Sequence, residues 1–242
     1  MNSNNPAQTQ QPSGRRNCIS RTGIAATSLR DYSKSMVTAD SIREISSGVW
    51  IWHAYDESGR TTLYSTAVAA EFGLVLIDPI DLVQDAFHHL TKHTPAAAIV
   101  LTNGNHSRAA ARFRERFGAP VFAHTDAVGE LTTFVDGVLR PSRPVAGSLE
   151  VIELPGAGLG EIALLHRKSP TKCQLHLGDA LINVDSTGLA VLPSKYCLSP
   201  KRLVQSLKLL PRDNLDLVTF AHGEPLLNEA TSRLTTLLSE LS

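Results

Sequence analysis

The chain has 242 residues, 42% hydrophobic and 19% charged, enough to bury a substantial core in one large domain or two small ones. Lys plus Arg and Asp plus Glu both number 23, and this balance argues against nucleic acid or an anionic membrane as partner. No apolar run approaches a membrane span, and the three scattered cysteines, Cys18, Cys173 and Cys197, fit neither a disulfide framework nor a paired-cysteine zinc site, but a reducing cytoplasm.

Residues 1–36 are rich in Asn, Gln, Ser and Pro and lack apolar periodicity. Up to residue 35 they carry a net charge of +4, from Arg15, Arg16, Arg21, Arg30 and Lys34 against Asp31. They read as a disordered tail, without the apolar stretch of a secretory signal, ahead of a single domain over 37–242.

Within that domain, residues 49–55 and 63–70 read as successive strands of a meander. The apolar run 74–77 reads as a buried strand stopped by Asp78-Pro79. A helix is expected over 82–93, where Leu82, Val83, Ala86, Phe87 and Leu90 share a face. A second buried strand covers 97–101 and leads into the loop Thr102-Asn103-Gly104-Asn105. Ser107 or Asn105 is the expected cap of a helix reaching Phe117, with Gly118 as its stop. A short strand over 121–123 follows, then a helix starting near Thr125. Strands are expected at 149–154, 161–166 and 173–177. A helix over 200–210, a strand over 217–221 and a helix over 225–241 close the chain. Two strand groups, each accompanied by helices, predict an αββα sandwich: two mixed sheets face to face, with helices on both outer sides.

The strand, polar loop and helix spanning 99–117 are followed at regular intervals by Leu154-Pro155-Gly156-Ala157, Leu177-Gly178-Asp179-Ala180 and Phe220-Ala221-His222-Gly223-Glu224-Pro225. In this order the set resembles the metallo-β-lactamase superfamily over residues 45–240, and Phe117 to His124 resembles that family's second helix-to-strand passage. The resemblance implies the αββα fold and zinc-dependent hydrolysis, in which the metal acidifies water and polarises a substrate oxygen. It also implies a loop of the form His-x-His-x-Asp-His, with further His, Asp and His ligands downstream.

This chain departs from that pattern. The loop positions hold Asn103, Asn105, Ser107 and Arg108, the histidine expected after Pro155-Gly156 is Ala157, and only Asp179 and His222 match. Amide and hydroxyl oxygens are poor zinc ligands beside imidazole or carboxylate, and Arg108 carries a permanent positive charge to a ligand position. Two ligands fall short of the three that catalytic zinc sites usually keep. His106 occupies a non-ligand position of the motif and is expected to point away.

The first expectation is therefore a site without metal, catalytically silent or altered, whose cleft binds a small molecule, an anion among the candidates, or a protein partner. Asn103, Asn105, His106, Arg108 and Lys195 are the candidate ligand-binding residues, with Arg108 expected to pair with Asp179 in place of the metal. The alternative is a hydrolase of esters, thioesters or lactones, with Asp179 and His222 as an acid/base pair or, joined by His106, as a mononuclear zinc site. The loop before the helix at 107 can bind an anion through its N–H groups or be a plain turn.

Gly156-Ala157-Gly158-Leu159-Gly160 has the wrong glycine spacing and leads to a strand, so it is not a dinucleotide fingerprint. His88, His89 and His93 are read as solvent-facing, and Cys173 and Cys197 as packing or surface thiols. Trp50 and Trp52 are read as core or interface. A structural subunit, for instance in a homo-oligomer, would instead expose an apolar face there or on the last helix.

Overall fold

The computed structural model describes residues 36–92 and 94–241. The tail expected over 1–36 lies, up to residue 35, outside the described residues, as does His93. Short strands β1 (Thr38–Ala39) and β2 (Arg43–Ser46) precede β3 (Val49–Asp56), β4 (Thr61–Ala70) and β5 (Gly73–Ile77). Then come β6 (Asp81–Leu82), α1 (Gln84–Thr91), β7 (Ala96–Leu101), α2 (Ala110–Phe117), β8 (Val121–Ala123) and β9 (Gly137–Val138). The second half contains β10 (Leu149–Glu153), β11 (Ile162–Ser169), β12 (Lys172–Leu177), β13 (Leu181–Val184), β14 (Gly188–Val191), α3 (Pro200–Leu207), β15 (Leu215–Thr219) and α4 (Ala230–Ser239).

A seven-stranded sheet runs β2-β3-β4-β5-β7-β8-β9, antiparallel through its first strands and parallel from β5 onward. A four-stranded sheet runs β10-β11-β12-β15, with only β12 and β15 parallel. Both are mixed, as expected. Three apolar layers define the stacking. Trp52, Leu76, Ile99 and Leu101 pack with Phe87 of α1 and Phe113 of α2 on one outer side. Val68, Val75, Val100, Leu149, Leu164 and Leu217 meet between the sheets. Leu165, Leu175 and Val218 pack with Leu203 of α3 and Leu234 of α4 on the other side.

The continuous apolar runs of β5 and β7 follow from this burial on both faces, as central parallel strands require. Trp52 is 1% exposed, with its indole N–H donating to the Ile80 carbonyl at 2.8 Å, and Trp50 packs partly buried against the same core.

Several boundaries differ from those expected. The second helix starts at Ala110, with no side-chain cap. Arg108 stands at φ 37°, a left-handed conformation that interrupts the helix before it can begin. The Ser107 hydroxyl accepts from Thr132 N–H instead, while Gly118 closes the helix at φ 65° as expected. The first helix begins at Gln84 because Asp81–Leu82 pair with β1 as a strand. Near Thr125 there is a single tight turn, Thr125–Ala127, and the last helix waits until Ala230 because Leu226 still pairs with Val218 through the backbone. The hairpin β13–β14 is an addition to the expected elements. Among the described residues no helix is long and apolar enough to cross a membrane.

Candidate metal centre

Parallel strands point their carboxyl ends the same way, and in open α/β sheets such ends carry ligand sites. Here the ends of β5 and β7 in one sheet, and of β12 and β15 in the other, deliver Asp78, the Thr102 to Arg108 loop, Asp179 and His222. His106, Asp179 and His222 form a candidate metal-binding group whose ligand atoms all lie within 4.8 Å of one another. His106 Nε2 and His222 Nε2 each stand 3.3 Å from Asp179 Oδ1.

Both imidazoles are oriented from behind. His106 Nδ1 donates to Asp78 Oδ2 at 2.9 Å, with the Thr102 hydroxyl at 3.0 Å. His222 Nδ1 lies 3.2 Å from the Thr62 carbonyl and from the Thr61 hydroxyl. A carbonyl only accepts, so Nδ1 of His222 carries the proton and Nε2 turns toward Asp179. The expectation that His106 points away is thus corrected. Its ring is 4% exposed and aimed inward, because buried Asp78 captures the opposite nitrogen.

Asp78 itself stands at φ 47°, a strained conformation held in place by its partners. Its carboxylate accepts from Thr102 N–H at 2.8 Å and from the Thr102 hydroxyl at 2.5 Å.

Arg108 does not pair with Asp179 as expected. Its Nη1 donates to the Tyr64 and Asp78 carbonyls at 2.5 and 2.9 Å, and Nη2 to the Ala221 carbonyl at 3.4 Å. The left-handed backbone at Arg108 aims the guanidinium at these carbonyls, which belong to both sheets. Its charge nevertheless acts on Asp78 and Asp179, whose carboxylates counter the effect of burial on the guanidinium.

Behind Asp179 lies a second layer, of which the sequence pattern announces Asn103 but not Glu161. Asn103, fully buried, donates from Nδ2 to Glu161 Oε2 at 2.8 Å and to Asp179 Oδ2 at 3.0 Å. Glu161 Oε1 accepts from the N–H groups of Asp179 and Ala180 at 2.7 and 3.0 Å. Gly178 makes this approach possible: a Cβ there would collide with Thr102 Oγ1 and Glu161 Oε1. Gly178→Ala is expected to lower stability by about 1–3 kcal/mol through this overpacking, as read by denaturant unfolding.

The charges respond to this crowding. Burial alone would push His106 down, but the Asp179 and Asp78 carboxylates outweigh it and raise its pKa to about 10. Burial opposes the ionisation of Asp78 and Asp179 too, yet His106 and its neighbours hold both below the ordinary carboxylate range. Glu161, with burial and the Asp179 charge acting together, is pushed up to about 8.

Of the remaining candidates, Asn105 is exposed, its N–H donating to Asn103 Oδ1. Lys195 is exposed, its ammonium 4.7 Å from the Tyr196 ring centre, and lies outside the His106, Asp179 and His222 group. Ala157 is buried in the apolar layer under α3. His88 and His89 are exposed, and Cys173 and Cys197 are unpaired. A pocket of about 200 Å³ borders Glu161, with His124, Gly158, Ser199 and Arg202 in its wall, but includes none of the three candidate ligands.

Asp78 and Glu161 were missed as site residues. The usable signal was the same for both: an ionisable residue at the edge of an otherwise apolar strand, where an unpaired charge would be costly.

The donor set suits zinc. In a tetrahedral zinc site the metal–ligand distances imply an edge between ligand atoms of about 3.3 Å, the separation seen here from Asp179 Oδ1 to each Nε2. Asp179 Oδ1 is buried and has no hydrogen-bond partner of proper geometry among the described residues.

A profile described as Metallo-beta-lactamase superfamily matches residues 42–241. No curated protein matches the sequence. Among solved structures, a metallo-beta-lactamase from Pontibacter korlensis is 18% identical, with a TM-score of 0.63, over 83% of this chain and 99% of that one. A metallo-beta-lactamase family protein from Thermus thermophilus is 19% identical, with a TM-score of 0.57, over 81% of this chain and 80% of that one. A beta-lactamase domain protein from Burkholderia ambifaria is 15% identical, with a TM-score of 0.59, over 86% of this chain and 79% of that one. At these identities the structural matches speak for the fold alone, while the profile covers most of the sequence: the chain belongs to the metallo-beta-lactamase superfamily.

Proposed function

We propose that the chain holds one divalent metal ion, zinc being the first candidate, between His106, Asp179 and His222, and acts on a small molecule containing an ester, thioester or lactone bond. The observation behind this reading is the convergence of two imidazole Nε2 atoms on one carboxylate oxygen, with both Nδ1 atoms already engaged. Lone pairs brought together in this way repel unless a proton or a metal ion stands among them. A bound metal ion supplies Lewis acidity, lowering the pKa of water and polarising a carbonyl oxygen. Asp78 fixes the tautomer and orientation of His106, and the Thr62 carbonyl does so for His222, as outer-shell partners of metal-binding histidines do. The unpaired Cys173 and Cys197 are in keeping with a reducing cytoplasm as its location.

One observation favours a second reading, a catalytically silent site whose cleft binds a small molecule or a protein partner. Without metal, protonated His106 and Arg108 balance the charges of Asp78 and Asp179. The cluster then needs no ion to be neutral.

Metal content separates the two. Mass spectrometry of protein purified without chelator or metal-affinity tag is expected to find close to one zinc, iron or manganese per chain, lost in Asp179→Ala and His222→Ala. Metal far below stoichiometry, with no uptake of added zinc, would leave the silent reading standing. Binding is also expected to strengthen with pH. The metal must displace the proton that His106 holds up to about pH 10, so zinc affinity should rise up to about tenfold per pH unit above pH 7, by chelator competition.

A further inference from the structure

We infer that Asn103 and Glu161 form a positioning device for Asp179, presenting a single carboxylate oxygen to the metal; the inference rests on the metal-site reading above. The amide orientation of Asn103 is unambiguous. Its Oδ1 accepts the backbone N–H of Asn105 at 2.9 Å, so Nδ2 must face the carboxylates. The two hydrogens of Nδ2 then go to Glu161 Oε2 and Asp179 Oδ2, which uses the amide's donors fully. With Oδ2 held in this way, only Oδ1 of Asp179 is free to face His106 and His222.

Glu161 anchors the arrangement from the other side. One of its oxygens takes the N–H groups of Asp179 and Ala180, and the other takes Asn103. Backbone and side chain of Asp179 are therefore held by the same pair of residues. The pair is almost completely buried, Asn103 at 0% and Glu161 at 2% exposure, and Gly178 leaves room for it. Asn103 replaces a ligand of the family pattern, yet the structure assigns it a role one step back: it acts on the metal through Asp179. Neither side chain is a catalytic residue in this assignment.

Asn103→Asp tests the device. The change is nearly isosteric, but it puts an oxygen where Nδ2 donated to two other carboxylates. Asp179 should turn and offer both oxygens. Zinc affinity, by chelator competition on the full chain, is expected to fall about 10- to 100-fold. The visible spectrum of the Co(II)-substituted variant should weaken and shift as the coordination number rises, which a loss of stability alone would not produce. Should Asn103→Asp not fold, Asn103→Ser removes the same donor without adding charge and is held to the same criteria. If wild type binds zinc and the folded variant binds within twofold of it, with a superimposable Co(II) spectrum, the positioning role is overturned and the metal site stands. If folded wild type takes up neither zinc nor Co(II), both fall together.

Discussion

Arg108→Met is expected to destabilise the fold by several kcal/mol, since each buried acceptor left without its donor costs about 1–3 kcal/mol. The guanidinium donates to carbonyls at Tyr64, Asp78 and Ala221, which sit in strands or loops of both sheets. Those carbonyls lose their donors, and Asp78 and Asp179 lose a nearby cation. Arg108→Lys should fall between wild type and Met, because an ammonium restores the charge but cannot span acceptors set around a planar fork. Urea unfolding of the metal-free proteins measures both. A loss below about 1 kcal/mol for Met would mean that the carbonyls find other donors and that Arg108 is not the clasp between the sheets.

Metal-free protein is also expected to lose stability on both sides of a maximum in pH. His106 has its pKa raised from an ordinary 6.5 to about 10. Its folded form holds the proton more tightly than the unfolded chain, so its contribution is complete below pH 6.5 and is lost as pH rises toward 10. Glu161, raised from 4.5 to about 8, acts in the same direction over its own window, complete below pH 4.5 and lost by about 8. His176 behaves oppositely. Burial between the sheets, with His166 beside it, pushes its pKa down to about 3, so stability is lost as pH falls from 6.5 toward 3. The depressed carboxylates Asp78 and Asp179 add to the acid side, their contribution being lost as pH falls through their folded values.

A tenfold difference in proton affinity between folded and unfolded chains corresponds to about 1.4 kcal/mol, so the alkaline limb amounts to several kcal/mol. Melting temperatures in EDTA across pH 4–10 should trace the curve. His106→Gln should flatten its alkaline limb and His176→Leu should relieve its acid limb. With saturating zinc the alkaline decline should disappear, since the metal-bound form needs His106 without its Nε2 proton. An alkaline limb identical in wild type and His106→Gln would show that His106 does not hold that proton.

The scaffold was legible because its signals are local. Buried strands β5 and β7 are written as apolar runs, Gly118 marks the end of α2, and the order of Gly178-Asp179 and His222-Gly223 after the Thr102 loop carries the family pattern. Two helix starts were misplaced where tertiary pairing overrode propensity: at β6, which joins β1, and near Leu226, which joins Val218. The hairpin β13–β14 is short and only partly buried, so it left little pattern to read.

By itself, the sequence determined the superfamily scaffold and the positions of Asp179 and His222 at strand ends. Only the tertiary structure decided how the residues around them are used. Whether His106 faces the site depends on Asp78, 28 residues earlier in the chain, and whether Asn103 touches Asp179 depends on two loops that belong to different sheets. A motif position specifies a residue type, whereas the direction of a side chain is set by buried partners that must be satisfied from elsewhere in the fold.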